Sequence, residues 1–173
     1  MMGDRPAVVV RRATHADATA LGRLGALLVE EHHAFDAQRF LAARKGTEEG
    51  YGKFLDSQLD DPDVLILVAE DGGAVIGYAY AGVEGVDYMS LRGPAAVLHD
   101  LIVAAERRSQ GVGGRLLEAM FAELASRGAP RVVLSTAFRN EAAQRLFERM
   151  GFRRTMVEMT RELRTDGLPD ERS

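Results

Sequence analysis

Hydrophobic residues along this chain form short runs typical of strands, and these alternate with segments in which they recur at helical spacing. Short apolar runs of strand type lie at 7–11, 64–70, 74–83, 95–103 and 131–136. Between these runs, apolar residues recur at helical spacing over 14–33, 112–124 and 140–150. We predict a further helical region over 35–59, interrupted at 45–52, and a last strand over 152–163. The element order is therefore β-α-α-β-β-β-α-β-α-β.

Turn and cap residues support these boundaries. Thr14 with an acid at Asp17 is typical of a helix start. The segment Asp71-Gly72-Gly73 supplies the residues of a tight hairpin turn. We expect a loop over 86–94 and helix ends at Gly128 and Gly151. The central hairpin argues against a purely parallel, doubly wound sheet, so we predict one α/β (α+β) domain with a mixed sheet.

Composition narrows the classes of protein. The chain has 173 residues, no cysteine and a net charge of −4. The length fits a single domain over 1–173, with a core at about 7–163 and a polar tail at 164–173. Without cysteine there is no disulfide or thiol nucleophile, and the acidic balance argues against nucleic-acid or bilayer partners. No apolar run reaches about 18 residues, and residues 1–6 do not resemble a secretory signal, so we expect a cytoplasmic protein.

A glycine-rich loop between a strand and a helix is the strongest local signal for ligand binding. Glycines at a helix start expose backbone N–H groups, and the helix dipole favours an anion there. The loop carries the glycines Gly111, Gly113 and Gly114 beside Arg107, Arg108 and Arg115. A phosphate is the natural ligand, although a plain turn with solvated arginines has the same composition. Arg115 and Leu116 break both the P-loop and the dinucleotide-binding patterns.

The loop Arg108-Ser109-Gln110-Gly111-Val112-Gly113 instead resembles the R/Q-x-x-G-x-G/A signature of the GCN5-related N-acetyltransferases. The preceding strand at 98–103 and the segment from Asn140 to Phe152, similar to N-x-x-A-x-x-x-Y-x-x-x-G-F, extend this resemblance. Its strong part covers about residues 95–163. The resemblance implies a mixed, mostly antiparallel sheet whose fourth and fifth strands splay apart, flanked by helices.

The same resemblance implies an acetyl-CoA site. The backbone of Leu101, Ile102 and Val103 would pair with the pantetheine arm as an added strand would. The pyrophosphate would be bound by loop residues, which the resemblance places at Arg107, Arg108, Ser109, Gln110, Gly111, Val112, Gly113 and Gly114. Asn140 would lie near the coenzyme or simply cap its helix. Phe147 occupies a position where many relatives carry a tyrosine that protonates the leaving thiolate.

His99 and Asp100 are the candidate catalytic residues. They resemble an acidic pair that some relatives acting on polyamine-type substrates carry, with His99 replacing one acid. Neighbours on a strand face opposite ways, so without a bulge only one of them can face the site. The alternative is a surface histidine and a structural carboxylate. A strand N–H, such as that of Val103, could stabilise the developing oxyanion.

The resulting prediction is an acetyl-CoA-dependent N-acetyltransferase that acts on a primary amine of a small molecule or peptide, through a ternary complex. The acceptor side would involve His32, His33, Phe35, Asp36 and the segment 87–92. We expect no metal, because His32-His33 lacks partners at metal-ligand spacing, and a homodimer is compatible with this class. Because Phe147 cannot protonate the thiolate, the thiolate could leave unaided, or Ser135, Thr136 or Tyr88 could act as a substitute acid. Phe147 also leaves open a coenzyme-binding module without turnover. The residues are also compatible with transfer of a longer acyl chain, or with a phosphate-binding interaction protein.

Overall fold

The computed structural model describes residues 8–163, which form one five-stranded sheet with helices on both faces. The strands are β1 (Val9–Arg12), β2 (Val64–Asp71), β3 (Ala74–Glu84), β4 (Ala95–Val103) and β5 (Val132–Leu134). The helices are α1 (Ala18–Phe35), α2 (Thr47–Gln58), α3 (Val112–Ser126) and α4 (Glu141–Arg149). Short 3₁₀ turns, His15–Asp17 and Ala105–Arg107, precede α1 and follow β4. Ala7 and the tail from Arg164, which belong to the predictions above, lie outside the described residues.

The spatial strand order equals the chain order, β1-β2-β3-β4-β5. The first three pairings are antiparallel and the last, β4 with β5, is parallel. This arrangement confirms the predicted mixed, mostly antiparallel sheet. The β2–β3 hairpin turns at Gly72 and Gly73, which both have positive φ angles of 57° and 85°, as a tight turn requires.

Strand periodicity divides the core into two layers. Leu65 and Leu67 of β2 and Ala79 of β3 face the layer that contains α3 and Phe147 of α4. The alternate residues of the same strands, including Ile66 and Tyr78, face α1 and α2. The sheet is therefore buried on both faces, which explains why β2 and β3 read as nearly continuous apolar runs.

The predicted last strand over 152–163 is wrong. In the structure, residues 152–163 adopt no strand, and Met156, Val157 and Met159 are exposed. A strand needs a neighbouring edge with free backbone groups. The edge strand β5 is only three residues long and ends at Leu134, too short to pair with a strand of that length.

The helical region predicted over 35–59 is also partly wrong. Helix α1 continues to Phe35, residues 36–46 are irregular, and α2 begins at Thr47, inside the segment where we expected the break. Asp36 ends α1, because its Oδ1 accepts hydrogen bonds from the backbone N–H groups of Gln38 and Arg39 at 3.1 and 3.2 Å. Gly46, with φ +89°, provides the left-handed residue before α2.

Candidate functional site

The sheet opens between β4 and β5. Their parallel pairing ends at Leu98 and Leu134, whereas β4 continues along β3 as far as Val103. Ala104 donates its N–H to the carbonyl of Ile76 on β3, at 2.8 Å. Because backbone groups alternate along a strand, Leu101 and Val103 direct their N–H and C=O groups toward the open side. This edge has unpaired backbone groups of the kind that an added strand would need.

A β-bulge places both candidate catalytic residues on one face. Tyr80 pairs with Asp100, but the next residue, Ala81, pairs with Leu98, so His99 is the extra residue. Leu98 and Leu101 face the α3 layer, while the His99 ring lies 4.8 Å from the Tyr80 ring on the α1–α2 side. Asp100 faces the same side, since it contacts Tyr51 of α2 and Tyr78 of β3.

Asp100 is a buried carboxylate held by two phenols. The hydroxyls of Tyr51 and Tyr78 donate to the same oxygen, Oδ2, at 2.7 and 2.8 Å. No Lys or Arg of the described residues forms an ion pair with this carboxylate. Burial raises the pKa of Asp100, because desolvation outweighs the hydrogen bonds and the nearby His99 and His32. A carboxylate with a raised pKa is suited to accept a proton near neutral pH.

His99 is more exposed than Asp100. Its Nε2 lies 3.7 Å from Oε1 of Glu84, and its ring rests against Tyr80 at an interplanar angle of 34°. The ring lies over Gly82 of β3, where a Cβ would be 3.5 Å from Nε2, an ordinary van der Waals contact. The histidine therefore lines the solvent side of the site, and Asp100 its buried side.

The glycine-rich loop presents a row of free amides. The backbone N–H groups of 109–114 donate no hydrogen bond to any residue within 8–163, and the first ladder bond of α3 comes from Arg115, to Gly111 at 3.1 Å. Ser109 and Gly111 have positive φ angles of 58° and 78°. A Cβ at Gly113 would lie 3.2 Å from Cδ2 of Leu146. Free N–H groups and left-handed residues at a helix N-terminus are features that suit an anion, and at Gly111 the conformation favours glycine.

The neighbouring arginines are held by other groups. Arg107 forms an ion pair with Asp71 of β2, and its Nε is buried without an acceptor among residues 8–163. Arg108 donates from Nε to the carbonyl of Val103, at 2.9 Å, and pairs with Glu31 of α1. Arg108 thus lies across the open edge of β4, whereas Arg107 contacts the end of β2 at the β2–β3 hairpin.

Asn140 and Phe147 have structural roles in the described fold. The Asn140 side chain accepts a hydrogen bond from the N–H of Ala143, at 3.1 Å, and so caps α4. Phe147 is 8% exposed and packs against Phe152, with ring centroids 5.7 Å apart. Neither contact prevents the backbone around α4 from contacting a ligand at the loop, since Leu146 is adjacent to Gly113.

On the acceptor side, two acidic residues lie close to an arginine. Arg92 contacts Glu84 at 2.6 Å and Asp87 at 3.8 Å. Nδ1 of His32 forms a hydrogen bond with the backbone carbonyl of Leu28, and Nδ1 of His33 forms one with that of Phe40. Within 8–163, no three His, Asp or Glu residues are grouped as a metal site would require. None of the helices in this part of the chain is long and apolar enough to span a bilayer.

Sequence reasoning missed Tyr51 and Tyr78. The signal for Tyr78 was present, because β3 and β4 are consecutive antiparallel strands. Tyr80 lies directly opposite Asp100, and Tyr78, two residues away on the same face of β3, lies diagonally across from it. Tyr51 gave no such signal, since it belongs to a helix 49 positions away in sequence.

Comparison with known proteins agrees with this geometry. The family model described as acetyltransferase (GNAT) family matches residues 26–152. The uncharacterized N-acetyltransferase YhfO of Bacillus subtilis is 29% identical over 145 residues, covering 83% of this chain and 88% of that protein. A mycothiol acetyltransferase of Thermobispora bispora is 36% identical over 103 residues, covering 57% of this chain and 33% of that protein.

Solved structures share the fold. A protein from Bacillus halodurans, crystallised as a tetramutant, superposes with a TM-score of 0.78 at 20% identity, covering 90% of this chain and 99% of that one. An aminoglycoside N-acetyltransferase in complex with CoA superposes with a TM-score of 0.73 at 18% identity, covering 95% of this chain and 99% of that one. At these identities the likeness concerns the fold alone.

Proposed function

Since this chain belongs to the acetyltransferase (GNAT) family, we propose that it transfers the acetyl group of acetyl-CoA directly to a primary amine of a small molecule or peptide. Family membership assigns the chain to the N-acetyltransferases as a class of enzyme. The acceptor type, the residues and the direct mechanism are our proposal. The observation that carries it is the buried Asp100 beside the open edge of β4, which has no basic partner among residues 8–163.

The loop and the open edge fit acetyl-CoA at two points. The free N–H groups of 109–114 suit a diphosphate, which carries acceptor oxygens and negative charge. The outward N–H and C=O groups of Leu101 and Val103 suit the amides of the pantetheine arm. Arg108 already reaches the Val103 carbonyl from outside the sheet, so this edge is accessible to a hydrogen-bond donor. Arg108 would then exchange this carbonyl for the coenzyme.

The charge balance of the site favours a cationic acceptor. The acids on its rim are neutralised by arginines: Glu31 by Arg108, and Glu84 by Arg92. Asp100 has only phenols as hydrogen-bond partners among residues 8–163. An alkylammonium group would supply the missing counter-charge, and its proton is the one that must be removed before attack. The carboxylate therefore serves both to bind the acceptor and to deprotonate it.

The chemistry then requires little else from the protein. The Asp100 carboxylate accepts the amine proton, directly or through a water molecule, and the amine nitrogen attacks the thioester carbonyl carbon. A carbon–nitrogen bond forms as the carbon–sulfur bond breaks, and the sulfur retains its electron pair. In this proposal, the N–H of Val103 donates a hydrogen bond to the thioester carbonyl oxygen. Phe147 offers no acid, and a thiol with a pKa of about 8.5 is an adequate leaving group without one.

The test is a CoA-release assay of the purified protein with acetyl-CoA and a panel of primary amines, run beside the Asp100→Asn variant. Wild-type turnover should require an amine, and the rate for the variant should fall by about 10²- to 10⁴-fold near neutral pH. Equal rates for the two proteins would remove Asp100 from the mechanism. Binding of acetyl-CoA without turnover on any amine would instead favour the coenzyme-binding module.

A further inference from the structure

We propose that Tyr51 is a positioning residue for Asp100, and that a glycine-lined crossing of α1 and α2 places it there. The inference deepens the proposed function, because it rests on Asp100 as the proton acceptor. Tyr51 lies on α2, outside both β4 and the glycine-rich loop, so the acetyltransferase signature at 108–113 does not indicate it.

Titratable side chains from α1, α2, β3 and β4 surround the Asp100 carboxylate. Tyr51 of α2 and Tyr78 of β3 donate to Oδ2 of Asp100, at 2.7 and 2.8 Å. The other titratable neighbours are Tyr80 of β3, His99 of β4 and His32 of α1. Both donors use the same oxygen, and Oδ1 accepts no hydrogen bond from any residue in 8–163. Two phenols therefore orient the carboxyl group so that Oδ1 is available for an acceptor amine.

The two phenols are anchored differently. Tyr78 is fully buried in a central strand, so the sheet fixes its position. Tyr51 is half-buried and reaches Asp100 only because α2 approaches α1 closely. A Cβ at Gly22 would lie 2.3 Å from the carbonyl oxygen of Glu48, and one at Gly52 would lie 2.7 Å from that of Ala18. Glycine at both positions is therefore required for this crossing.

Gly25 makes room for the Tyr51 ring itself. A Cβ at this position would lie 2.2 Å from Cδ1 and 2.6 Å from Cγ of Tyr51. The ring thus lies directly over the backbone of α1, and any side chain at Gly25 would push it away. Its hydroxyl would then lose the Asp100 carboxylate.

The two phenols affect the pKa of Asp100, and therefore its strength as a base. Burial raises its pKa, and the hydrogen bonds from Tyr51 and Tyr78 work in the opposite direction, because they stabilise the charged form. Removing the Tyr51 hydroxyl should therefore raise the pKa of Asp100 further, by about one to two pH units, the usual range for a hydrogen bond to a charged group.

The first experiment uses Tyr51→Phe, which keeps the ring and removes only the hydroxyl. The acidic limb of the pH profile of kcat/KM should move to higher pH by about one to two units. The rate on the alkaline side of the limb should stay within about threefold of wild type, because a base with a higher pKa is not weaker. A variant that was merely destabilised would lose activity at every pH instead.

The second experiment uses Gly25→Ala, with Gly50→Ala as the matched control. Gly25 lies on α1, whereas Gly50 lies on α2 beside Tyr51, and a Cβ at Gly50 would contact nothing within 4 Å. Gly25→Ala should shift the acidic limb in the same direction as Tyr51→Phe, whereas Gly50→Ala should reproduce the wild-type profile. If Gly25→Ala does not yield folded protein, Tyr51→Phe alone decides the question.

A measurement without turnover separates this inference from the proposed function. The Asp100 side-chain carboxyl carbon, titrated by NMR in the free protein, should show the same upward shift in Tyr51→Phe. Superimposable titrations of variant and wild type would overturn the inference, even where Asp100→Asn is inactive. An upward shift combined with a fully active Asp100→Asn would uphold the positioning and overturn the role of Asp100 as the base.

Discussion

Asp17 and Asp100 are both buried carboxylates, at 6% and 8% exposure, and they lie in opposite electrostatic surroundings. Both oxygens of Asp17 accept from the Arg11 guanidinium, at 2.8 and 2.9 Å, and the N–H of Thr14 adds a third bond at 2.8 Å. Within residues 8–163, Asp100 accepts hydrogen bonds only from the phenol hydroxyls of Tyr51 and Tyr78. The pKa of Asp17 is accordingly lowered, chiefly by Arg11, while burial raises that of Asp100.

Asp17→Asn should destabilise the protein in a pH-dependent way. A lowered folded-state pKa means that ionised Asp17 contributes stability above its ordinary value of 3.8 and loses it as the pH falls through the folded pKa. We expect a loss of about 2 kcal/mol at pH 7, shrinking toward pH 3. Urea denaturation of both proteins across this range measures it. A pH-independent difference would contradict the assigned pairing with Arg11.

Asp100→Asn should show the opposite trend. A raised folded-state pKa means that protonated Asp100 is favoured in the folded state, and this stabilisation is lost as the pH rises through the folded pKa. The variant should therefore gain stability relative to wild type as the pH increases from 4 to 8. Thermal unfolding at several pH values tests this. A variant that becomes relatively less stable at pH 8 would show that the ionised carboxylate is well stabilised by its site.

Gly113→Glu should abolish acetyl-CoA binding. A Cβ at this position would lie 3.2 Å from Leu146, and the carboxylate would place a negative charge beside the loop amides that bind the diphosphate. Isothermal titration calorimetry measures the affinity. Gly50→Glu is the control, because its Cβ has open space on a different helix. Unchanged affinity in a folded Gly113→Glu protein would remove the loop from the coenzyme site.

His99→Asn should reduce kcat/KM less than Asp100→Asn does. The imidazole is solvent-facing and lies against Tyr80, with Glu84 at 3.7 Å, whereas Asp100 is buried at the bulge. We expect a decrease of about tenfold or less for His99→Asn, against at least about 10²-fold for Asp100→Asn. Steady-state kinetics at saturating acetyl-CoA compare them. A reversed order would make His99 the principal base.

Phe147→Tyr should leave kcat within about threefold of wild type, because a thiolate leaving group needs little acid assistance at neutral pH. The ring is buried against Phe152, so an added hydroxyl would be costly to accommodate. Steady-state kinetics with one amine at neutral pH check this. An increase of tenfold or more would mean that a hydroxyl here protonates the thiolate.

Local patterns in the sequence were sufficient for several parts of this protein. The turn at Gly72 and Gly73, the glycine-rich loop and the cap at Asn140 depend on residues within a few positions of one another. Backbone conformation there is decided by whether a residue tolerates positive φ or can accept an N–H. The predicted mixed sheet was confirmed, because apolar periodicity reports which faces are buried.

Long-range contacts decided the rest. The bulge at His99 arises from the register between β3 and β4, which no period-two rule along one strand can show, and it turns two neighbours to one face. Tyr51 meets Asp100 only after three glycines let α2 pack on α1. Residues 152–163 carry apolar residues that predict a strand, yet no strand forms, and the adjacent edge strand β5 is only three residues long. A strand, a bulge or a shared carboxylate needs a partner, and the partner's position is a property of the whole fold.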